Sequence, residues 1–359
     1  MSLRIGIVGL PNAGKSTLFN ALLKKQQALA ANYPFATIEP NIGIVPVPDE
    51  RLNKLADIVE KEEGKRPPLN QATVEFVDIA GLVAGASTGE GLGNKFLSHI
   101  REVDLICHVT RYFEDADVIH VAGDVNPERD KGIIETELIL ADLQTLNKQS
   151  EVRGTKDKQL IRKWELINTL KIAMNNGKRA SEIIPDEEDR TILKDLNLLT
   201  MKPTLFIRNL GESQTADPRL RENDSEGNEI AVSAKIESEL SLLSLEEQTE
   251  YLKSLGWEYS GLDRLIQTAY KKLGLISFLT CGVIEAKAWT ITKGTLAPQA
   301  AGTIHTDFEK KFIKADIVSY TDFVTLGGWV AARHAGKARM EGKEYQMQDG
   351  DVVEFKIGA

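Results

Sequence analysis

The sequence has only two cysteines among 359 residues, Cys107 and Cys281, and they lie far apart. A disulfide framework is therefore excluded, and a reducing compartment fits better than a secreted one. No apolar run reaches the ~18 residues that span a bilayer, so no membrane partner is expected. Met1–Val8 runs straight into a strand-like pattern without the layout of a secretory leader, which points to a cytoplasmic protein. Internal repeats, low-complexity tracts and long Pro/Ser linkers are absent as well. Basic residues are in deficit, 44 Lys+Arg against 53 Asp+Glu, a net charge of −9. In bulk that disfavours a nucleic-acid partner, because phosphate binding wants a basic surface. What remains is ordinary globular material, 42% hydrophobic and 27% charged. At roughly 150 residues per domain it suggests two or three domains, long enough to bury a core without staples.

Strand-like and helix-like segments alternate through the first 120 or so residues. Ile5–Val8, Val74–Ile79 and Leu105–Val109 read as buried strands, and Thr17–Lys25 as a helix. This alternation predicts a doubly wound α/β domain with a largely parallel sheet. Residues 128–150 and 156–176 then carry apolar residues at helical spacing, with Gly154 and Thr155 as a turn, and predict a helical hairpin. Strand candidates return at Thr204–Arg208 and Ile230–Ser233, followed by an acidic run, Glu237–Glu250, and a helix at Leu262–Leu273. The hairpin thus reads as an insertion into the α/β domain. From about Ser277 the pattern turns β-rich, with strands at Ala286–Thr292, Ala315–Ser319 and Val352–Ile357.

The charge is unevenly spread. Lys148 to Arg179 holds nine Lys/Arg against three acids, a surplus of +6, whereas 212–250 holds eleven acids against three bases, or −8. A global deficit of base therefore leaves room for a local RNA-facing patch.

Gly9-Leu10-Pro11-Asn12-Ala13-Gly14-Lys15-Ser16 fits G-x-x-x-x-G-K-[ST] and sits between a strand and a helix, the context this phosphate loop requires. Backbone N–H groups of Asn12 to Thr17 are expected to curl round phosphate oxygens at a helix N-terminus. Lys15 should reach the β- and γ-phosphates, and the Ser16 hydroxyl should ligate Mg²⁺. Asp78-Ile79-Ala80-Gly81 ends a strand and supplies a second Mg²⁺-holding group, the Asp78 carboxylate acting through water, and a γ-phosphate sensor in the Gly81 N–H. The glycine-rich stretch Leu82–Asn94 that follows has little to pack, as a switch segment needs. Thr37, between the two motifs, is a third candidate Mg²⁺ ligand.

Guanine is read in switch GTPases by Asn-Lys-x-Asp at a late strand end, whose carboxylate accepts from guanine N1–H and N2–H₂. The corresponding residues here are Asn209-Leu210-Gly211-Glu212. Leu210 replaces the lysine with a side chain that can pack on a ring, and the longer Glu212 replaces the aspartate. Guanine donors left unpaired are strongly disfavoured, so ATP is expected over GTP. Ser233-Ala234-Lys235 matches the last base-contacting loop.

The ordered set Gly9–Ser16, Asn32–Pro40, Asp78–Gly93 and Asn209–Glu212 closely resembles the Obg-like ATPases, the YchF family. Ala288–Thr290, Lys293–Thr295 and Ala297–Gly302, with Ile304–Lys310, are similar to that family's TGS domain. The resemblance implies a P-loop GTPase-like domain over 1–125 and 200–276, a helical coiled-coil insertion over 126–199 and a β-grasp TGS domain over 277–359. It also implies ATP hydrolysis and a ribosome or rRNA partner, met through the insertion and the TGS domain. Nothing in the sequence demands more than a monomer.

The residue after Gly81 is Leu82, which cannot orient a water as the glutamine of many switch GTPases does. His120 matches the histidine the resemblance marks as catalytic, and a neutral imidazole can position a water near pH 7. Asn12 resembles the potassium-dependent switch hydrolases, where its side-chain oxygen helps hold K⁺ beside the phosphates. Two rival readings stay open, an ATP-binding regulatory module with negligible turnover and a true GTPase. His108 lies within a strand and is expected to pack in the core.

Overall fold

The computed structural model describes residues 3–29, 41–79, 92–115, 124–151, 154–215 and 228–358. The chain forms two compact units. The first comprises Met1–Val45 and Glu75–Leu265, the second Pro46–Val74 and Ile266–Ala359.

The first unit is built on a sheet whose strands run in the order Ile42–Pro46, Thr73–Asp78, Arg4–Val8, Leu105–Arg111, Thr204–Asn209, Glu229–Val232. Arg4–Val8 pairs in parallel with both Thr73–Asp78 and Leu105–Arg111. The parallel ladder continues through Thr204–Asn209 to Glu229–Val232. Every residue of Leu105–Arg111 is buried, which is why that strand reads as a continuous apolar run rather than an alternating one. His108 belongs to this strand and packs against Phe206, ring centroids 5.6 Å apart. Burial pushes its pKa down to about 3, so the imidazole is neutral and serves the core.

The expected helical pair is present at Pro127–Asn147 and Lys158–Met174. Asn126 caps the first by accepting from the Arg129 N–H, with Pro127 in the first turn, and Asp157 caps the second from Gln159 and Leu160. Leu146, Leu166, Ile167, Leu170 and Met174 form their shared core with Leu193, Leu196 and Leu198. Asp142, fully buried, fixes the base of the pair by accepting from the Leu199 N–H (2.7 Å) and from the N–H and hydroxyl of Thr200 (both 2.8 Å).

The +6 surplus of this pair is reduced in three dimensions. Arg162 makes two hydrogen bonds to Asp189, Lys163 pairs with Asp195, and Arg179 bonds Glu135 and Thr204. Lys148, Lys156, Lys158 and Lys178 stay exposed.

Glu237 is buried on the helix Ala234–Leu240 and caps the helix Gly261–Lys272, accepting from Gly261 N–H at 2.7 Å and from Leu262. A Cβ at Gly261 would lie 2.8 Å from Glu237 Oε1, so a side chain there would displace the capping carboxyl. Lys25 and Asp263 face the carboxyl, and burial pushes its pKa up to about 7. The folded state therefore holds a proton between about pH 4.5 and 7 that the unfolded chain has released, and stability falls as pH rises through that window. Glu237→Gln is expected to flatten this slope by on the order of 2 kcal/mol, read from urea unfolding at pH 5 and pH 7.5. An unchanged slope would assign it to other groups.

The second unit holds a mixed sheet ordered Arg339–Glu341, Phe312–Ser319, Asp351–Ile357, Leu275–Cys281, Ala286–Thr292, Leu69–Asn70. Its first and last C-terminal strands, Leu275–Cys281 and Asp351–Ile357, are adjacent and parallel, with an antiparallel partner on either side, the arrangement expected of a β-grasp. Ala297–Ile304 packs on it around Phe278, Ile291, Phe312 and Ile317. One difference from the sequence reading concerns 46–74, assigned there to the nucleotide-binding domain. Leu69–Asn70 adds to this sheet beside Ala286 and Lys287, and Arg51–Glu63 lies in the same unit. Cys281 is partly buried and its thiol is pushed up to about 12, so it is not activated.

Candidate functional site

The parallel strands of the first unit bring Gly9, Asp78, Asn209 and Ser233 to their carboxyl ends, where open α/β sheets place ligands. The loop after Val8 is shaped by close approach. A Cβ at Gly9 would lie 2.5 Å from the Val109 carbonyl oxygen, and one at Gly14, at φ +95°, would lie 2.1 Å from Asn209 Nδ2. Asn12 takes φ +62°, a left-handed conformation Asn tolerates better than most residues, and its side chain is exposed. The helix Lys15–Leu29 starts directly after, so Ser16 and Thr17 lie exposed in its first turn.

Lys15 is 7% exposed and donates from Nζ to the Leu10 carbonyl at 2.8 Å. Burial holds its pKa below the usual lysine value, and Asp78 opposes that shift. Asp78 is displaced the other way, upward by burial and downward by Lys15 and by a hydrogen bond from Ser16. Its Oδ1 is buried without a hydrogen-bond partner among the described residues. A buried, unpaired carboxylate oxygen beside a serine hydroxyl fits a hard cation. Among the described residues no cluster of three or more His, Cys, Asp or Glu offers a complete metal cage. Mg²⁺ keeps waters and phosphate oxygens as ligands and needs only one or two protein groups such as these.

Asn209, expected at the base, makes two backbone hydrogen bonds. It is buried, its Nδ2–H donates to the Ala13 carbonyl at 2.9 Å, and its Oδ1 accepts from the Ala234 N–H at 3.0 Å. It therefore straps the phosphate loop to the start of the helix Ala234–Leu240. Ser233 is likewise committed, as that helix's N-cap, accepting from Ile236. Leu210 is 4% exposed and lines an interior cleft with Val232, Ile236 and Trp257, which leaves little of its surface for a base. Glu212 remains at the surface, paired with Lys235 at 2.6 Å.

No sequence motif pointed to Tyr112 and Phe113, directly after Leu105–Arg111. Tyr112 N–H donates to the Asn209 carbonyl at 2.9 Å, and Gln214 bridges the Tyr112 carbonyl and the Gly211 N–H. Arg111 donates to the Phe113 carbonyl and lies 4.5 Å from that ring's centroid. These residues brace the strand end that carries Asn209–Glu212. An aromatic pair following a buried strand was the available signal. Thr37, Gly81, Leu82 and His120 lie outside the described residues.

Two family profiles match the chain. One, described as "50S ribosome-binding GTPase", covers residues 4–146, and YchF-GTPase_C, described as "Protein of unknown function (DUF933)", covers 275–358. The "Ribosome-binding ATPase YchF" of Bacillus subtilis (strain 168) is 49% identical, over 99% of this chain and 100% of the relative. Its counterpart in Escherichia coli O157:H7 is 46% identical over 99% of each. The solved "Structure of the Schizosaccharomyces pombe YchF GTPase" superposes with a TM-score of 0.85 at 39% identity, covering 99% of this chain and 98% of that one. With such identity along nearly its whole length and the same fold, the chain belongs to the YchF family.

Proposed function

We propose that this protein is a Mg²⁺-dependent ATPase that prefers ATP to GTP, binds ribosomes and uses its nucleotide state as a switch. The names of its relatives support the ribosome and ATPase parts of that reading. The preference rests on one observation, the strand end Asn209-Leu210-Gly211-Glu212, where a buried leucine and a Lys235-bound glutamate stand in place of the lysine and aspartate that read guanine.

In this reading Ser16 and Asp78, with Thr37, hold Mg²⁺, which when bound neutralises charge on the β- and γ-phosphates. Lys15, held by the Leu10 carbonyl, turns its remaining N–H donors to the phosphates. Gly81 senses the γ-phosphate, Asn12 helps hold K⁺ beside it, and His120 positions the attacking water. The exposed lysines of the 126–199 helices and the 277–359 domain, read as TGS, face the ribosome.

Phosphate release with ATP and with GTP, in the presence and absence of ribosomes, tests this directly. ATP is expected to turn over faster than GTP, with ribosomes changing the rate. His120→Ala is expected to lower turnover about tenfold or more while ATP affinity stays within about twofold. Unchanged turnover in that variant removes His120 from the mechanism. No release from either nucleotide favours the binding-module reading, for which Leu82 speaks.

A further inference from the structure

The segment after the Asn209-strapped helix carries an apolar surface left uncovered by the described residues. The helix Leu245–Ser254 has no buried residue, although it is properly formed, with a capping box between Ser244 and Glu247. Leu242 and Leu245 are 72% and 73% exposed, and Leu243, Tyr251 and Leu255 are exposed beside them. Leu245, Tyr251, Leu252 and Leu255 fall on one helical face at i, i+6, i+7 and i+10. A monomer seldom leaves so many large apolar side chains together in water.

The rim is mostly acidic. Between Ser238 and Glu258 the chain has five acids, Glu239, Glu246, Glu247, Glu250 and Glu258, against the single base Lys253. All five are exposed, and the described residues include no ion pair to Glu246 or Glu250. An acidic rim repels nucleic acid and anionic lipid alike. It attracts a cationic polypeptide, whose basic groups meet the glutamates while its apolar groups cover the leucines.

We infer that the Leu242–Leu255 surface docks a basic amphipathic helix of a partner protein. The helix Ala234–Leu240, whose first residue is tied to the phosphate loop through Asn209, leads directly into this surface. The surface is therefore connected to the phosphate loop through one short helix and the two Asn209 hydrogen bonds.

The test uses the full-length protein and a fluorescent 18-residue Leu/Lys amphipathic peptide, with a Leu/Glu peptide of the same pattern as control. Anisotropy should show saturable binding of the Leu/Lys peptide only. The double variant Leu242→Ser/Leu245→Ser should weaken it at least tenfold, and Glu246→Lys/Glu250→Lys severalfold, with steeper loss in salt for the wild type. Ile172→Ser, an exposed apolar change on a different helix, should leave it unchanged, and circular dichroism should be unaltered in all variants. Equal binding by the wild type and the double leucine variant would overturn the proposal. So would concentration-dependent self-association abolished by that variant, since the occupant would then be a second copy. Crosslinking of residue 245 to RNA rather than protein, in ribosome mixtures, would overturn it as well.

Discussion

Replacing Lys15 with methionine is expected to lower ATP affinity at least tenfold and ATP turnover by 100-fold or more. The side chain is already buried and held at the mouth of the phosphate loop by the Leu10 carbonyl, so little ordering is required when a nucleotide arrives. Removing the charge leaves phosphate oxygens facing a desolvated site without their cation, a loss of on the order of 3–5 kcal/mol. Methionine keeps the aliphatic bulk, and it removes a cation whose burial is unfavourable, as its depressed pKa records. The unliganded protein should therefore melt at nearly the same temperature. Nucleotide titration calorimetry, phosphate release and thermal melting of the same preparation check all three. Near wild-type turnover in Lys15→Met would contradict the assigned phosphate site.

Asn209→Ala is expected to destabilise the first unit by about 3–5 kcal/mol. It orphans two buried backbone groups, the Ala13 carbonyl and the Ala234 N–H, at about 1–3 kcal/mol each, and opens a small cavity between them. Asn209→Asp should be no better, because its second oxygen would face the Ala13 carbonyl with no proton to share. ATP affinity should fall more than tenfold, since the loop that cradles the phosphates loses its strap. Urea unfolding and nucleotide titration measure the two effects. A change below about 0.5 kcal/mol in unfolding would mean that the strap carries no energy.

The phosphate loop was legible in the sequence because its parts are contiguous. Gly9, Gly14, Lys15 and Ser16 lie within eight residues, and the strand and helix on either side have clear periods. The parallel sheet was legible for the same reason, with Leu105–Arg111 buried on both faces. Asn209 was singled out by motif, but its bonds are to backbone groups 196 and 25 residues away, which no spacing reveals. The placement of 46–74 was missed because Leu69–Asn70 is a two-residue strand, too short for any period, whose partner Ala286 lies more than 200 residues on. Charge counting misled in a similar way. A window closing at Arg179 omits Asp189 and Asp195, which fold back onto Arg162 and Lys163.

Adenine and guanine differ in the donors they present to the strand end, and that is where this chain departs from the guanine-reading pattern. Leu210 is turned inward and Glu212 is held by Lys235, so no short carboxylate stands ready for guanine N1–H and N2–H₂. The most direct measurement is the pair of dissociation constants for ATP and GTP, taken by calorimetry with Mg²⁺ on one preparation. The account predicts ATP tighter by about tenfold or more, a difference of at least ~1.4 kcal/mol. Equal affinities, or tighter GTP, would contradict it.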